Sequence, residues 1–382
     1  MSSTNILMYV PAVKPSQDNT AARIAELIAQ YASRARSGTY TIKSQPNSHD
    51  SVIVGPDGTE HLTVVEVDYQ PSLFRGDSVG SGQATFRGVG WALVYAVMGT
   101  ARLIRSMTRP AKSNRAKLQL LIGFCSVFVL YASFGVALVA LLVAVQPSWI
   151  PKALATSSPG IQTAAGISAG TVGAATFWWL RPKMLAAGAL LRSLMGYLER
   201  DRDLLRVTGV FDQAVDDILD AHPDARVHIL AFSFGSIVTL DSLFPRAAGL
   251  ENRDLSCVDS LVTVGCPVDF VRLFYQDHFA DRSARRPGLD WTNVFIPADV
   301  LASNFADTKD DATILSPADH NAFRIATETP GHNLAVGSAQ LSIAQTITMD
   351  GFSLHCSYWA KDEPRYLAGL IPLWLPAPVA SP

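Results

Sequence analysis

The sequence predicts an α/β fold: a mostly parallel sheet with helices on both faces, interrupted by a transmembrane helical hairpin. Two observations predict the sheet. Short apolar runs alternate with helical patterns along the chain, and the runs are nearly continuous in hydrophobic residues, as in strands that are buried on both faces. A third observation predicts the hairpin, because long segments in the middle of the chain carry no charged residue.

The N-terminal segment contains the first elements of such a sheet. The apolar run at 5–10 predicts a strand, and a helix follows whose hydrophobic residues recur at i, i+3, i+4 and i+7 from Ile24 to Tyr31. Short strands are expected next at 40–43, 51–54 and 61–67. The glycine- and serine-rich stretch 76–82 then predicts a linker that leads out of the sheet.

The C-terminal segment resumes the alternation of helices and strands. A helical pattern from Met184 to about Ala221 leads into an apolar run that starts at Val227. Further strands are expected at 261–264 and 293–296. We therefore expect residues 1–82 and 184–382 to be two parts of one α/β domain, separated by a membrane insertion at 83–183.

The insertion contains two uncharged segments. The first, 118–145, exceeds the roughly 20 residues that a helix needs to cross a bilayer. The second, 160–180, is rich in Gly, Ala and Thr, and Gly166 and Gly170 have the small-xxx-small spacing that lets membrane helices pack closely. Basic residues precede the first segment and follow the second, so the positive-inside rule predicts an integral protein of the cell membrane whose α/β domain is cytoplasmic.

The composition agrees with a membrane-associated chain and excludes some partners. Hydrophobic residues make up 48% of the 382 residues and charged residues only 17%, below the roughly 25% charged residues of typical soluble domains. The formal net charge of −2 provides no basic field for nucleic acid. The four cysteines lack the spacing of disulfide frameworks or metal sites, so we expect free thiols and no bound metal.

A serine stands between an apolar run and the helical pattern that follows it. Its surroundings read Ala231-Phe232-Ser233-Phe234-Gly235, with a small residue two positions before and two positions after it. A strand, a sharp turn with the serine and a helix are the parts of a nucleophile elbow, which lifts the hydroxyl clear of the backbone. The Phe234 N–H would then lie at a helix start, where it suits a developing oxyanion.

A serine of this kind needs two partners. It is a weak nucleophile unless a base accepts its proton and a carboxylate orients that base. In folds that present serine on such a turn, the carboxylate comes later in the chain and the histidine comes last. Asp299 follows the strand at 293–296, where parallel sheets place their functional groups, and is the expected acid. Asp269, after the strand at 261–264, is the alternative acid.

The base is expected among the histidines that follow Asp299. These are His320, His332 and His355. His332 stands in the turn-like segment Pro-Gly-His-Asn, which is typical of a structural position. His355, near the C-terminus, is therefore the predicted base.

Together these segments resemble the α/β-hydrolase superfamily, and within it bacterial lipase-like proteins with a membrane insertion. The resemblance covers about residues 5–75 and 185–370. The residues that carry it are Ala231, Phe232, Ser233, Phe234, Gly235, Trp291, Asn293, Asp299, Val300, His355, Tyr358 and Trp359. It implies a Ser-His-Asp triad that uses neither a metal nor an organic cofactor.

One segment departs from this resemblance. Where such enzymes carry His-Gly after the first core strand, this chain has Pro11-Ala12. Proline has no N–H to donate. The second donor of an oxyanion hole, beside Phe234, is therefore expected to be the backbone N–H of Ala12 or Val13.

Two functions are compatible with these features. The first is a membrane-anchored serine hydrolase that cleaves a carboxylic ester or thioester, with a lipid-like substrate drawn from the bilayer. The second is a weak or inactive hydrolase-fold membrane protein that acts as a binding module, which the altered Pro11-Ala12 segment favours. The ordered set Ser233, Asp299 and His355 favours the first.

Overall fold

The structure of the chain, a computed structural model, describes residues mainly on either side of the predicted insertion. The described residues are 4–13, 20–36, 38–44, 50–74, 97–98, 100–101, 121–122, 125, 128, 194–246, 255–275, 277–280, 282, 285–286, 288–299, 301–305, 332–336, 354–355, 357–359 and 366–375. The chain divides into two compact units, of which the first comprises residues 1–76, 105–120 and 197–382 and the second residues 77–104 and 121–196. The sheet and the candidate site belong to the first unit.

The described strands of the first unit form a single eight-stranded sheet. Their bounds are β1 Asn5–Val10, β2 Thr41–Ser44, β3 Ser51–Val54, β4 Glu60–Glu66, β5 Arg226–Phe232, β6 Val258–Val264, β7 Asp290–Phe295 and β8 His332–Ala335. The order across the sheet is β2-β3-β4-β1-β5-β6-β7-β8. All neighbours from β4 to β8 are parallel, whereas β2–β3 and β3–β4 are antiparallel.

Helices cover the sheet and bury its strands. Their bounds are α1 Thr20–Ala35, α2 Gln70–Phe74, α3 Asp201–Ala221, α4 Phe234–Leu243, α5 Val268–Phe274 and α6 Tyr366–Trp374. Helices α1 and α6 pack together over one face, in a core that includes Tyr9 and Leu230. The alternate residues Met8 and Ile229 are equally buried, so the opposite face is covered as well.

The α/β class and the mostly parallel sheet are confirmed, and three details differ from the expectation. The strands β2 and β3 add an antiparallel edge to the sheet. His332, expected in a turn, begins the parallel edge strand β8. The long helix expected from 184 is interrupted at Arg200, which separates α3 from a helical turn at 194–199.

The predicted membrane insertion falls largely on residues that are not described. The linker at 76–82 and the span at 160–180 lie outside the described residues, as does the span at 118–145 except for four positions. Within the described parts of the chain, no helix has both the length and the hydrophobicity to cross a bilayer.

Candidate active site

Ser233 forms the turn between β5 and α4. Its backbone angles are φ 54° and ψ −125°, and it is the only non-glycine residue with positive φ among those described. The Ser233 N–H donates to the Val264 carbonyl at 2.9 Å, and the Ser233 carbonyl accepts the Ser236 N–H at 2.9 Å. Strain of this kind costs about 1–3 kcal/mol and persists only where the surrounding structure fixes it. The strand before the turn and the helix after it do so here.

The small residues around Ser233 allow the helix to approach the neighbouring strand. A Cβ on Gly235 would lie 2.3 Å from the Val10 carbonyl oxygen and 2.4 Å from that of Pro11, both in the backbone. Ala231 is fully buried, and its carbonyl accepts the Ser236 hydroxyl at 3.0 Å. The close approach therefore requires glycine at 235, and it brings the N-terminus of α4, with Phe234, beside the end of β1.

Three side chains from distant parts of the chain meet at this turn. His355 Nε2 lies 2.7 Å from Ser233 Oγ, and His355 Nδ1 lies 2.8 Å from Asp299 Oδ2. Asp299 is fully buried and His355 is only 7% exposed. The geometry thus joins the serine, histidine and aspartate singled out by the sequence in one row of hydrogen bonds.

The Asp299 carboxylate is held by donors on both of its oxygens. Its Oδ1 accepts the Leu301 N–H at 2.9 Å, and its Oδ2 accepts the Tyr358 hydroxyl at 2.9 Å in addition to His355. The Asp299 N–H donates to the Ile296 carbonyl at 2.9 Å, which closes the turn after β7. These three donors fix the buried carboxylate of Asp299 in place.

Tyr358 connects the acid to the end of β7. Its hydroxyl oxygen accepts the Ile296 N–H at 2.9 Å while its proton is donated to Asp299. Burial, and then the neighbouring carboxylate of Asp299, raise the pKa of Tyr358 well above its ordinary value. The phenol therefore stays protonated over the range in which proteins are stable, and it remains a donor.

Aromatic rings enclose the imidazole of His355. The Phe232 ring stacks on it with centroids 5.7 Å apart and an interplanar angle of 21°, while Tyr358 presents an edge at 6.2 Å and 88°. Gly265 has φ +58°, and a Cβ there would lie 2.9 Å from the Tyr358 ring and 3.3 Å from His355 Cε1. These contacts restrict the rotation of the histidine and keep its Nε2 toward the serine.

The loop that carries the expected second oxyanion donor is fixed from its outer side. The buried Tyr69 hydroxyl donates to the Pro11 carbonyl at 2.7 Å, and the Gln70 amide donates to the Ala12 carbonyl at 3.4 Å. In a trans peptide the carbonyl and the following N–H point in opposite directions. The N–H groups of Ala12 and Val13 are therefore directed away from Tyr69 and Gln70.

The alternative acid occupies a different environment. Asp269 lies in the first turn of α5, and its backbone N–H donates to Ser303 Oγ at 2.8 Å. His355 makes its carboxylate contact with Asp299. The position that orients the histidine is therefore held by Asp299 rather than by Asp269.

The other histidines that follow Asp299 lie elsewhere in the chain. His332 is exposed at the start of β8, in register with Thr292 of β7. His320 lies outside the described residues. Of the two downstream histidines that the structure describes, His355 is the one placed against Ser233.

Sequence reasoning assigned no role to three residues of this site. Tyr358 appeared only as part of a motif, and Phe232 only as a neighbour of the serine. Gly265 had a usable signal, because a glycine directly after a strand often marks a close approach of another group. The contacts of Tyr358 and Phe232 depend on how the chain brings 232, 299 and 355 together, which local patterns do not contain.

Comparisons of the chain with protein-family models, with curated proteins and with solved structures found no match. A function is therefore inferred from the chemistry and geometry of this site.

Proposed function

We propose that this protein is a serine hydrolase that cleaves a carboxylic ester or thioester. The observation that carries the proposal is the row Ser233–His355–Asp299, with 2.7 Å and 2.8 Å between successive heteroatoms. The backbone of Ser233 supports it, because a strained serine between a strand and a helix is the arrangement of a nucleophile elbow. With this elbow on a mostly parallel sheet, we assign the chain to the α/β-hydrolase superfamily as part of the proposal.

The chemistry follows from the order of the three groups. Ser233 Oγ attacks the carbonyl carbon while His355 Nε2 accepts the hydroxyl proton, and Asp299 stabilises the imidazolium that forms. The tetrahedral intermediate collapses to a serine ester, and the alcohol or thiol leaves with the proton from His355. Water, deprotonated by His355, then attacks the ester and releases the carboxylic acid and the free serine.

The developing oxyanion needs fixed donors. The Phe234 N–H stands at the first residue of α4, where the helix dipole favours negative charge. The second donor in this proposal is the N–H of Ala12 or Val13, on the loop held by Tyr69. A single missing donor would lower kcat by about 10²–10³, so the altered Pro11-Ala12 segment bears on the rate rather than on the type of reaction.

We further propose that residues 83–183 anchor the hydrolase in the cell membrane through spans at 118–145 and 160–180, with the α/β domain in the cytoplasm. The uncharged runs and their basic flanks support this anchor. An anchored site works beside the bilayer, and a lipid-like ester is the substrate class that this position favours.

The test is covalent labelling with a fluorophosphonate probe, together with hydrolysis of a short-chain nitrophenyl ester. Ser233→Ala should abolish labelling and lower kcat by more than about 10³-fold, because the nucleophile is lost. Ser236→Ala is the matched control, since Ser236 lies on the same helix but is buried and bonded to the Ala231 carbonyl. Equal labelling of wild type and Ser233→Ala would leave the binding-module function as the better explanation.

A further inference from the structure

A fourth side chain belongs to the row of hydrogen bonds. We propose that Tyr358 is a positioning residue that holds Asp299 and His355 in the relative orientation required by the proposed hydrolase. The inference rests on that proposed function for its kinetic consequence. Its structural part is that the Tyr358 hydroxyl and His355 bond to the same oxygen of Asp299, and this part depends on the geometry alone.

The two donors reach one oxygen from one short turn. His355 and Tyr358 are three residues apart, and the Ser357 N–H donates to the Leu354 carbonyl at 2.9 Å within the same turn. His355 Nδ1 lies 2.8 Å and the Tyr358 hydroxyl 2.9 Å from Asp299 Oδ2. The histidine therefore cannot shift along the carboxylate without also displacing the tyrosine.

Tyr358 is itself fixed by the turn that carries the acid. Its hydroxyl oxygen accepts the N–H of Ile296, and the Ile296 carbonyl accepts the N–H of Asp299. The phenol thus bridges the end of β7 to the carboxylate that follows it. Its ring fits because Gly265 has no side chain at the point where a Cβ would lie 2.9 Å away.

The shared oxygen gives Tyr358 an electrostatic effect as well. Among the described residues, Ser233 and the charged Asp299 are in hydrogen-bond contact with His355, and the rings of Phe232 and Tyr358 cover its sides. A phenol that donates to Oδ2 disperses part of the negative charge on that atom. Without it, Oδ2 would accept more strongly from His355 and would favour the imidazolium. The enzyme would then need a higher pH to free its base.

The experiment measures the rate of fluorophosphonate labelling against pH for Tyr358→Phe. We expect labelling about tenfold slower at the optimum, because the acid and base are less well held. We also expect the acidic limb of the profile to move to higher pH by roughly half a unit or more. Without the Tyr358 hydroxyl, Asp299 Oδ2 carries more negative charge and holds the His355 proton more strongly.

Tyr197→Phe is the matched control. The buried Tyr197 hydroxyl donates to another buried carboxylate, Asp241, at 2.6 Å. Loss of the Tyr197 hydroxyl should affect thermal stability in a similar way and leave the pH profile unchanged.

In an Asp299→Ala background the kinetic effect of Tyr358→Phe should disappear, because Tyr358 acts through that carboxylate. An effect that persists in this background would overturn the proposal.

A measurement that needs no turnover separates the two proposals. The His355 Nδ1 proton should give a downfield, exchange-protected NMR signal, and Tyr358→Phe should move it further downfield. If the wild type is not labelled, the hydrolase proposal fails and this shift still decides the role of Tyr358. If Tyr358→Phe leaves the His355 signal unmoved and has the same pH profile as the control Tyr197→Phe, the inference is overturned.

A second measurement applies if Tyr358→Phe does not fold. The wild type must then show a protected Tyr358 hydroxyl proton with a cross-peak to the Nδ1 proton of His355, and the absence of this cross-peak overturns the inference.

Discussion

Asp299 follows β7, whereas Asp269 lies in the first turn of α5, after the neighbouring strand β6, and their contacts distinguish them. Asp299→Asn should lower kcat by on the order of 10³–10⁴, since an amide at this position favours the wrong tautomer of His355. Asp269→Asn should leave kcat within a fewfold of wild type, because the carboxylate that contacts His355 is that of Asp299. Ester hydrolysis by both variants, with folding checked by thermal melt, decides between them. A large loss of kcat in Asp269→Asn together with a small loss in Asp299→Asn would make Asp269 the acid instead.

A buried histidine outside the site makes the fold sensitive to acid. His228 is 3% exposed, its Nδ1 lies 2.9 Å from Ser260 Oγ, and burial lowers its pKa from 6.5 to about 4. Between these two pH values the unfolded chain binds a proton at this position that the folded chain does not. Acidification therefore favours unfolding, by up to about 3 kcal/mol at the lower pH.

His228→Gln should remove this dependence. Glutamine can still bond to Ser260, but it does not titrate. The difference in unfolding free energy between wild type and variant should therefore change by about 2–3 kcal/mol from pH 6.5 to pH 4. Urea unfolding at several pH values measures it, with His332→Gln, at the exposed start of β8, as the control. The prediction would be contradicted if the unfolding free energies of wild type and His228→Gln changed with pH by the same amount.

The residues of the site differ in how far sequence can identify them. Ser233, Asp299 and His355 follow from residue type, their place after predicted strands and their order along the chain. The roles of Tyr358 and Phe232 arise from packing between segments more than 50 residues apart, as the 56-residue separation of His355 and Asp299 illustrates. Tyrosine and phenylalanine are common core residues, so their type alone does not indicate contact with an imidazole.

At the level of elements, α4 carries the serine turn and is anchored at its other end. The Asp241 carboxylate accepts the Tyr197 hydroxyl at 2.6 Å, and it lies 3.1 Å from His278 Nε2 and 2.5 Å from Arg282 Nη1. Although burial raises the pKa of Asp241, Arg282 and His278 bring it below its ordinary value. A buried group of this kind contributes little net stability but is costly to break. It therefore fixes the position of α4.

The loop after β1 is the second element that the proposed chemistry depends on. Tyr69→Phe removes the hydroxyl that holds the Pro11 carbonyl and lets the peptide N–H groups of the loop reorient. We expect kcat to fall by about 10- to 100-fold with little change in KM, because an oxyanion donor acts mainly in the transition state. Tyr275→Phe is the control, since its hydroxyl donates to the Glu199 carboxylate at 2.9 Å, away from this loop and from the row of Ser233, His355 and Asp299. Equal kcat values for the two variants would exclude the loop as an oxyanion donor.

The elements that sequence reasoning missed are short or lack a clear period. β8 has four residues, three of them exposed, so it shows no apolar run. α6 does have buried residues at helical spacing, among them Leu367 and Trp374, but Pro372 inside it weakens the pattern of a helix. The antiparallel edge formed by β2 and β3 had a signal that the sequence analysis did not use, because the connections 45–50 and 55–59 are too short for the crossover that a parallel pair needs.

At the scale of the whole molecule, two distant parts of the chain build one sheet. Strand β1 pairs with β5 along its full length, from Asn5 opposite Arg226 to Val10 opposite Ala231. Helix α2, before the segment 75–200, packs against α3 after it. The chain thus leaves the sheet and returns to it through elements that touch, and the strands β1–β8 and helices α1–α6 all lie outside the segment 75–200.

This arrangement predicts the effect of removing the proposed anchor. Replacement of residues 83–183 by a flexible linker of ten residues, which spans roughly 18 Å, should leave the sheet folded. The variant should still react with a fluorophosphonate at Ser233, and it should move from the membrane fraction to the supernatant on centrifugation. The same deletion with Ser233→Ala controls for labelling elsewhere. Full-length protein in the supernatant would contradict the anchor. A deleted variant that is labelled but remains with the membranes would mean that another part of the chain binds the bilayer.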